Sequence, residues 1–440
     1  MASTYLTRAF SSSTATTKAT WSFWVKFSAV NTGVGGTGSM LFQARNSSSS
    51  NNYRTYIRYE ENGTLDFICY NSSGTKIGEY YTSQKFRDCN AWYHICYSMD
   101  TTLNTASDRL KLYVNGVRVT NFYTGSYTAI GQNETVNTTS SVFTDISRNG
   151  GSAGYYFNGI LSHYILTDGY VYQADTFGST DSTTGEWKIN TSPTISNWGS
   201  NGFWILKDGN SVTDSSPNSN TFTVGGGTLT KTEDSPSNVF ATMNALSKGS
   251  DAVLSKGNTV LGNSQNTNSN VLGTIALGNG KYYWETYKQG AGSTGLGLTL
   301  ASVDGSNHAA IHSHRVNYFG DGYIYQNGFG LSDINTGVTY ADGDIIGVSV
   351  DTENGTIKFY KNSVLVNNSS QTNSAFTYTQ NELIPFWYMN GGGEWRTNFG
   401  NGYFGTTAIS SAGTNASNNG IFEYDVPSGY TALSTKGLNL

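Results

Sequence analysis

His308, His312 and His314 stand close together, with Asp304 just upstream. Imidazole nitrogens bind divalent metals, and in an extended segment His312 and His314 share one face at two-residue spacing. On a loop rich in Gly and Asn the same histidines are more often solvated, and that reading is preferred for His312 and His314. Glycosidic hydrolysis needs two carboxyls about 5 Å or about 6.5–9.5 Å apart across a cleft. Glu60, Glu61 and Asp66 lie on one hairpin without that spacing. A serine nucleophile wants a Gly-x-Ser-x-Gly elbow between a strand and a helix, and no helix is expected. Gly225-Gly226-Gly227 could cradle phosphate only if it opened a helix. No helical period follows it, so it reads as a loop. No catalytic set, cofactor motif or metal site is expected.

The remaining chemistry is recognition. Asn317 to Phe329 reads NYFGDGYIYQNGF, with Arg315 beside it and Trp387 and Trp395 further on. Tyrosine and tryptophan offer large contact area for few frozen torsions, and their rings can stack on sugars. Arg315, Tyr318, Tyr323, Tyr325, Phe329 and Trp395 are the expected binding residues. The competing reading places these aromatics in a sheet core. It is preferred for Trp387 and stands level with binding for Tyr323 and Tyr325.

Elements must hold these residues, and composition says which kind. The chain has 440 residues, 12% of them charged, about half of the roughly 25% usual in soluble domains. With 14% aromatics it has the means to bury a core, so it is folded and not disordered. A net charge of −5 and no Lys/Arg cluster argue against nucleic acid. No apolar run of about 18 residues is present, so no membrane insertion is expected. The start lacks the apolar core of a secretory signal. Cys69, Cys89 and Cys96 do not make a disulfide framework, and Cys96 reads as a small buried apolar residue. A protein made in the cytoplasm without obligatory disulfides is the expectation.

Strands alternate apolar and polar residues with period two. Trp21 to Phe27 sets Phe23, Val25 and Phe27 against Trp24 and Lys26; Trp92 to Met99 places Trp92, His94 and Cys96 on one face. Hairpins are read at Asn62-Gly63 and at Asn115-Gly116. The strongest signal is Gly343 to Val364, GDIIGVSVDTENGTIKFYKNSV. There Ile346, Val348 and Val350 answer Ile357 and Phe359 across Asn354-Gly355, which predicts a two-residue turn with positive φ at both positions. Between 190 and 244 the chain changes character. Phe203 to Leu206, Asp208-Gly209, Asp214 to Asn220 and Ser235-Pro236-Ser237 punctuate it.

The 343–364 run resembles the central hairpin of SPRY domains, with Ser363 where that family usually has glycine. Lys281 to Glu285 (KYYWE) resembles the early SPRY strand. Trp92-x-His94, Asp100 and Leu112 to Gly116 (LYVNG), followed by Tyr156 to Asp168, resemble laminin-G-like domains of the concanavalin A-like class. Some members of that class hydrolyse glycans from a Glu-x-Asp-x-x-Glu strand, which this chain lacks. Phe240 to Leu246 (FATMNAL) and the stretch from Val426 to Leu433 resemble segments of phage and marine-virus structural proteins that carry SPRY modules. The resemblances imply an all-β chain of two tandem antiparallel β-sandwich (jelly-roll) domains with almost no helix. Residues 1–195 would be laminin-G-like, 196–245 a connector shared with either sandwich, and 246–440 SPRY-like with a C-terminal extension. They imply a non-enzymatic virion surface protein: a tail fibre, receptor-binding or capsid-decorating component. It would bind host cell-surface glycan or receptor, or other virion proteins, as a homo-oligomer, with a trimer preferred. A cellular SPRY module that recognises a peptide and a glycan-active enzyme are the alternatives.

Overall fold

Alternation settles which side chains share a core. Along Trp92–Asp100, Ile95, Tyr97 and Met99 enter one cluster, while His94 and Cys96 enter another on the opposite face of the strand. The computed structural model describes residues 3–11, 14–28, 38–47, 52–150, 154–207, 211–263, 267–379 and 381–439. The chain divides into two units, 1–231 and 232–440. Residues 196–231, with the Asp214 turn, go with the first unit, and 232–245 with the second. Asp208-Gly209 lies outside the described residues.

In the first unit an antiparallel sheet runs in the order Val117–Val119, Leu110–Val114, Trp92–Asp100, Lys18–Phe27, Gly159–Asp168, Phe203–Ile205. A second antiparallel sheet of eight strands includes Arg54–Tyr59 and Leu65–Tyr70. Trp21, Phe23, Phe67, Tyr97 and Tyr164 fill the core of this unit. The far face of the six-stranded sheet carries His94, Cys96, Ile165 and Trp204, covered by Phe177, Trp187 and Trp198. His94 is fully buried there. Its Nδ1 accepts from Trp187 Nε1 at 3.2 Å, and its Nε2 lies 2.9 Å from Ser22 Oγ. Burial holds this imidazole down at about 3. It is a packed strand residue, as expected.

The second unit pairs a seven-stranded and a nine-stranded sheet around Trp284, Trp387, Trp395 and Tyr318. Ile346, Val348 and Val350 face Ile357 and Phe359 in that core. Tyr283 and Glu285 mark the outer face of the nine-stranded sheet, and the C-terminal segment covers them. Glu285 is fully buried, accepting from the backbone N–H of Glu423 at 2.8 Å and of Tyr424 at 2.9 Å. Tyr283 meets Phe422 edge-on at 5.2 Å. Burial pushes the Glu285 carboxyl up to about 7, against the pull of those two donors.

The turns correct one expectation. Asp351 pairs with Thr356, so four residues lie between the strands. Asp351 Oδ1 accepts from the N–H of Glu353 at 3.1 Å and of Asn354 at 3.0 Å, and the left-handed position falls on Gly355 alone, at φ +59°. The aspartate has organised a wider turn, and Asn354 needs no positive φ. Two-residue primed turns occur instead at Asn115-Gly116 and Asn362-Ser363, where both residues have positive φ. Ser363 therefore holds φ +72° with a side chain that disfavours it. Ser363→Gly is expected to stabilise the second unit by about 1 kcal/mol. Gly355→Ala should destabilise it by about 1–3 kcal/mol, since a Cβ there would come within 2.3 Å of Asn373 O. Denaturant midpoints measure both, and equal midpoints for Ser363→Gly and the parent chain would refute the strain at that turn.

Candidate functional site

The outer face of the seven-stranded sheet gathers most of the chemistry-bearing residues of the second unit. Its strands alternate as the first unit's do: Val316 and Tyr318 point into the core, while Arg315, Asn317 and Phe319 point out. Leu272, Ile384, Phe386 and Tyr388 add an apolar patch to the same face. A single α-helix among the described residues, His308–Ser313, lies on it and inserts Ile311, which is fully buried. Asn307 caps that helix, its Oδ1 accepting from Ala310 N–H at 3.0 Å.

The helix overturns the expected histidine geometry. His312 and His314 were read as extended neighbours on one face. In the helix His312 instead lies one turn from His308, with ring centroids 3.7 Å apart, and His314 is the exposed residue that ends the helix. The cause is local. Asn307 supplies a cap and the segment HAAIHS offers Ile311 to an apolar patch, so a short helix wins over an extended loop. No group of three or more His, Cys, Asp or Glu is placed to hold a metal ion among the described residues.

Around the histidines the contacts are continuous. Asn270 Nδ2 lies 3.0 Å from His308 Nδ1, and Arg315 Nη1 donates to His312 Nδ1 at 2.9 Å. Both imidazoles lie over the Tyr388 ring, at 5.4 and 5.3 Å. The Arg315 guanidinium stands 4.9 Å from the Tyr325 ring centroid. Tyr325 stacks on Tyr323 at 5.9 Å and meets Phe319 edge-on at 5.6 Å. Asp321 holds this strand in place. Its Oδ1 accepts from Tyr323 N–H and its Oδ2 from the Tyr325 hydroxyl, each at 2.9 Å.

Of the expected binding residues, the structure brings together Arg315, Tyr323 and Tyr325, with Tyr323 37% exposed. It removes Tyr318, Phe329 and Trp395, which are buried core residues. Tyr318 donates its hydroxyl to Val338 O, Phe329 packs edge-on against Phe376, and Trp395 Nε1 donates to Tyr388 O at 3.0 Å. The two polar atoms and the Phe329 ring have found their partners within the unit. Trp387 is buried as expected. Asn270 and Tyr388 join the site without having been singled out, while His308 was named only with the histidine cluster and Asn317 only as the start of the aromatic stretch. The one available signal was the i, i+4 spacing of His308 and His312, which requires knowing that the segment is helical.

Outside this face, one further histidine and the carboxylates of the Asn62-Gly63 hairpin are enclosed. His163 borders a cavity of about 10 Å³ with Trp24 and Phe177, room for one water and not for a substrate. Glu60 and Asp66 are both held by Arg58 Nη2, at 2.8 and 3.1 Å, so they share one guanidinium and do not face each other across a cleft.

Residues 2–169 match the family model described as the concanavalin A-like lectin/glucanases superfamily, and residues 281–402 match the SPRY domain model. The chain therefore carries a laminin-G-like, concanavalin A-like domain followed by a SPRY domain. Among solved structures it is similar to the SPRY domain of human HERC1, at 20% identity over 35% of this chain and 96% of that one, with TM-score 0.27. It is also similar to the TRIM65 PSpry domain, at 16% identity over 36% of this chain and 90% of that one, with TM-score 0.27. No curated protein matches the chain.

Burial first, then the cation of Arg315 and the neighbouring His308, hold His312 down at about 3. A histidine's unfolded value is about 6.5. The stability that His312 contributes is thus fully present above about pH 6.5 and is lost as pH falls toward the folded value. Proton titration followed by NMR should show His312 neutral at pH 5. Arg315→Met should move its midpoint upward by removing the facing cation. A midpoint near 6.5 in the parent chain would contradict this geometry.

Proposed function

We propose that the chain is a non-enzymatic binding protein of a virion surface, a tail fibre, receptor-binding or capsid-decorating component. In this reading its SPRY unit meets host-surface glycan or a neighbouring subunit through the outer face of the seven-stranded sheet. The observation that carries the reading is the contiguous aromatic surface of Tyr323, Tyr325 and Phe319, backed by buried Tyr388 and bordered by Arg315. Tyrosine and arginine are enriched where binding energy concentrates, because a rigid amphipathic ring buries area at little entropic cost. Asp321 fixes both tyrosines before any partner arrives, which lowers the ordering cost of association. The virion placement is supported by the order of motifs along the chain: a laminin-G-like domain, FATMNAL, a SPRY domain and the closing run from Val426. The non-enzymatic part is supported by carboxylates that share one cation at Arg58 and by His94 packed within its sheet.

The double change Tyr323→Ala with Tyr325→Ala tests the surface. The expected result is attachment to host cells weakened about thirtyfold, as for the loss of a hot spot of about 2 kcal/mol, with the melting curve in place. Unchanged attachment refutes this face, and a collapsed melting curve shows the two tyrosines to be part of the fold. An antibody against the chain should label purified particles, and unlabelled particles would refute the virion placement alone.

A further inference from the structure

Arg315 is 7% exposed, and none of the ion pairs among the described residues includes it. A buried guanidinium ordinarily meets a carboxylate, since taking a cation out of water without one costs several kcal/mol. Here its Nη1 donates to a neutral imidazole and its Nε–H has no partner. The neighbours are short of partners too. His312 accepts through Nδ1, so its proton sits on Nε2, a buried donor that reaches nothing. Asn317 is fully buried two residues along the same strand face, and neither its Nδ2 nor its Oδ1 is bonded. Asn270 Oδ1 is a further buried acceptor without a donor. Buried polar groups without partners are rare in folded proteins, and several on one face ask for a common reason.

The orphans are mostly N–H donors around one positive charge that no carboxylate bridges directly, Asp333 acting on it only through space, and such a set is the complement of an anion. Two amide oxygens add acceptors suited to hydroxyl groups. Tyr325 lies over the guanidinium and stacks on exposed Tyr323, giving flat apolar surface beside the polar end. A Cβ at Gly295 would come within 2.5 Å of Asn317 Nδ2, so glycine leaves room for the amide at the floor. A ligand with a carboxylate, several hydroxyls and an apolar ring face uses every one of these groups. A peptide carboxylate would leave the acceptors and the aromatic faces with less to do.

We propose that Arg315, His312 and Asn317 form the anion-binding end of a glycan subsite that takes the carboxylate of an acidic sugar, its ring lying against Tyr325 and Tyr323. Tyr325 covers the guanidinium from the strand Tyr323–Tyr325, its hydroxyl held by Asp321 Oδ2. This inference rests on the reading of the same face as the binding surface.

Calorimetric titration of the full chain tests it with four probes: a galacturonate tetramer, the same tetramer with carboxyls reduced to alcohols, sialyllactose and a glutamate tetrapeptide. The expected result is that at least one acidic sugar binds. The reduced tetramer, the peptide and the Arg315→Met variant should each give binding at least tenfold weaker. In the parent chain the Arg315 Nε–H resonance should shift when that sugar is added, a readout that needs no variant. The melting temperature of Arg315→Met should hold or rise, because the change removes an unpaired buried cation. Equal binding of the reduced tetramer, unchanged binding by Arg315→Met, or an unmoved Nε–H resonance overturns the anion subsite. A peptide that binds as tightly as the sugars overturns the glycan assignment. If no probe binds while Tyr323→Ala with Tyr325→Ala still abolishes attachment to cells, the surface stands and the acidic sugar falls. If that double variant attaches normally, the surface itself has failed.

Discussion

A strand cannot put all its side chains in one core. Successive residues point to opposite faces, so every sheet that packs on a core presents a second face that must be wet, covered or put to use. This constraint shapes both units. In the first, the second face of the six-stranded sheet carries Cys96, Ile165 and Trp204, which are too apolar to leave in water. Burying such a side chain is worth about 1.5–3 kcal/mol, and the stretch bearing Phe177, Trp187 and Trp198 supplies the cover. In the second unit the C-terminal segment covers the nine-stranded sheet, tied down at Glu285.

The seven-stranded sheet is different because its cover is too short. Six residues of helix hide Ile311 against Phe386 and Ile384, and the strands beyond them keep Phe319, Tyr325 and Tyr323 at or near the surface. A fold selected for stability alone has little use for Arg315 in that position. A methionine or leucine would fill the same space beside Tyr325 without an unpaired charge or an orphaned Nε–H. Residues that break a local rule without a compensating contact tend to mark function. Asn258, Ser269, Gln326 and Asn401 also carry a buried polar atom without a partner, and Arg315 is set apart from them by its charge. Lys288, for comparison, is as deeply buried, but its Nζ is satisfied by the carbonyls of Gln289, Gly290 and Ala291.

The architecture was legible because it rests on period-two alternation, which is local. The inward sets Phe23, Val25 and Phe27, Leu110, Leu112 and Val114, and Ile346, Val348 and Val350 could be read residue by residue. What alternation leaves open is which of two buried faces is the central core. His94 and Cys96 were on the expected face, but that this face needs a cover from residues 170–205 depends on long-range packing. The turn at Asn354-Gly355 was misread because a side chain three residues upstream, Asp351, outcompetes the dipeptide signal. Tyr318 and Trp395 were misassigned for a related reason. A tyrosine-rich strand looks the same in sequence whether its rings face in or out, and only the pairing of Leu296 with Tyr318 and Leu261 with Trp395 fixes the answer. Arg315 was found for its charge and its neighbours. That no carboxylate among the described residues bridges it directly, which makes it informative, belongs to the fold.

The two covers of the second unit also differ in how they hold charge. Glu285 sits under the C-terminal segment with its carboxyl raised to about 7, so that cover changes protonation near neutrality. Next to Arg315 the histidines behave in the opposite way. Burial and the guanidinium keep His308 and His312 low, and the guanidinium remains charged across the working range of proteins. The guanidinium therefore keeps its charge from mildly acidic to basic pH, with the exposed carboxylates of Asp321 and Asp333 at its rim and imidazoles serving as neutral donors and acceptors. Two protonated histidines beside Arg315 would instead make the site's charge vary steeply between pH 5 and 7. Neutral imidazoles give the guanidinium a hydrogen-bonded setting without cancelling its charge, and a carboxylate partner in the fold would have cancelled it. In the proposed subsite the direct partner of the guanidinium is an anion from outside the chain.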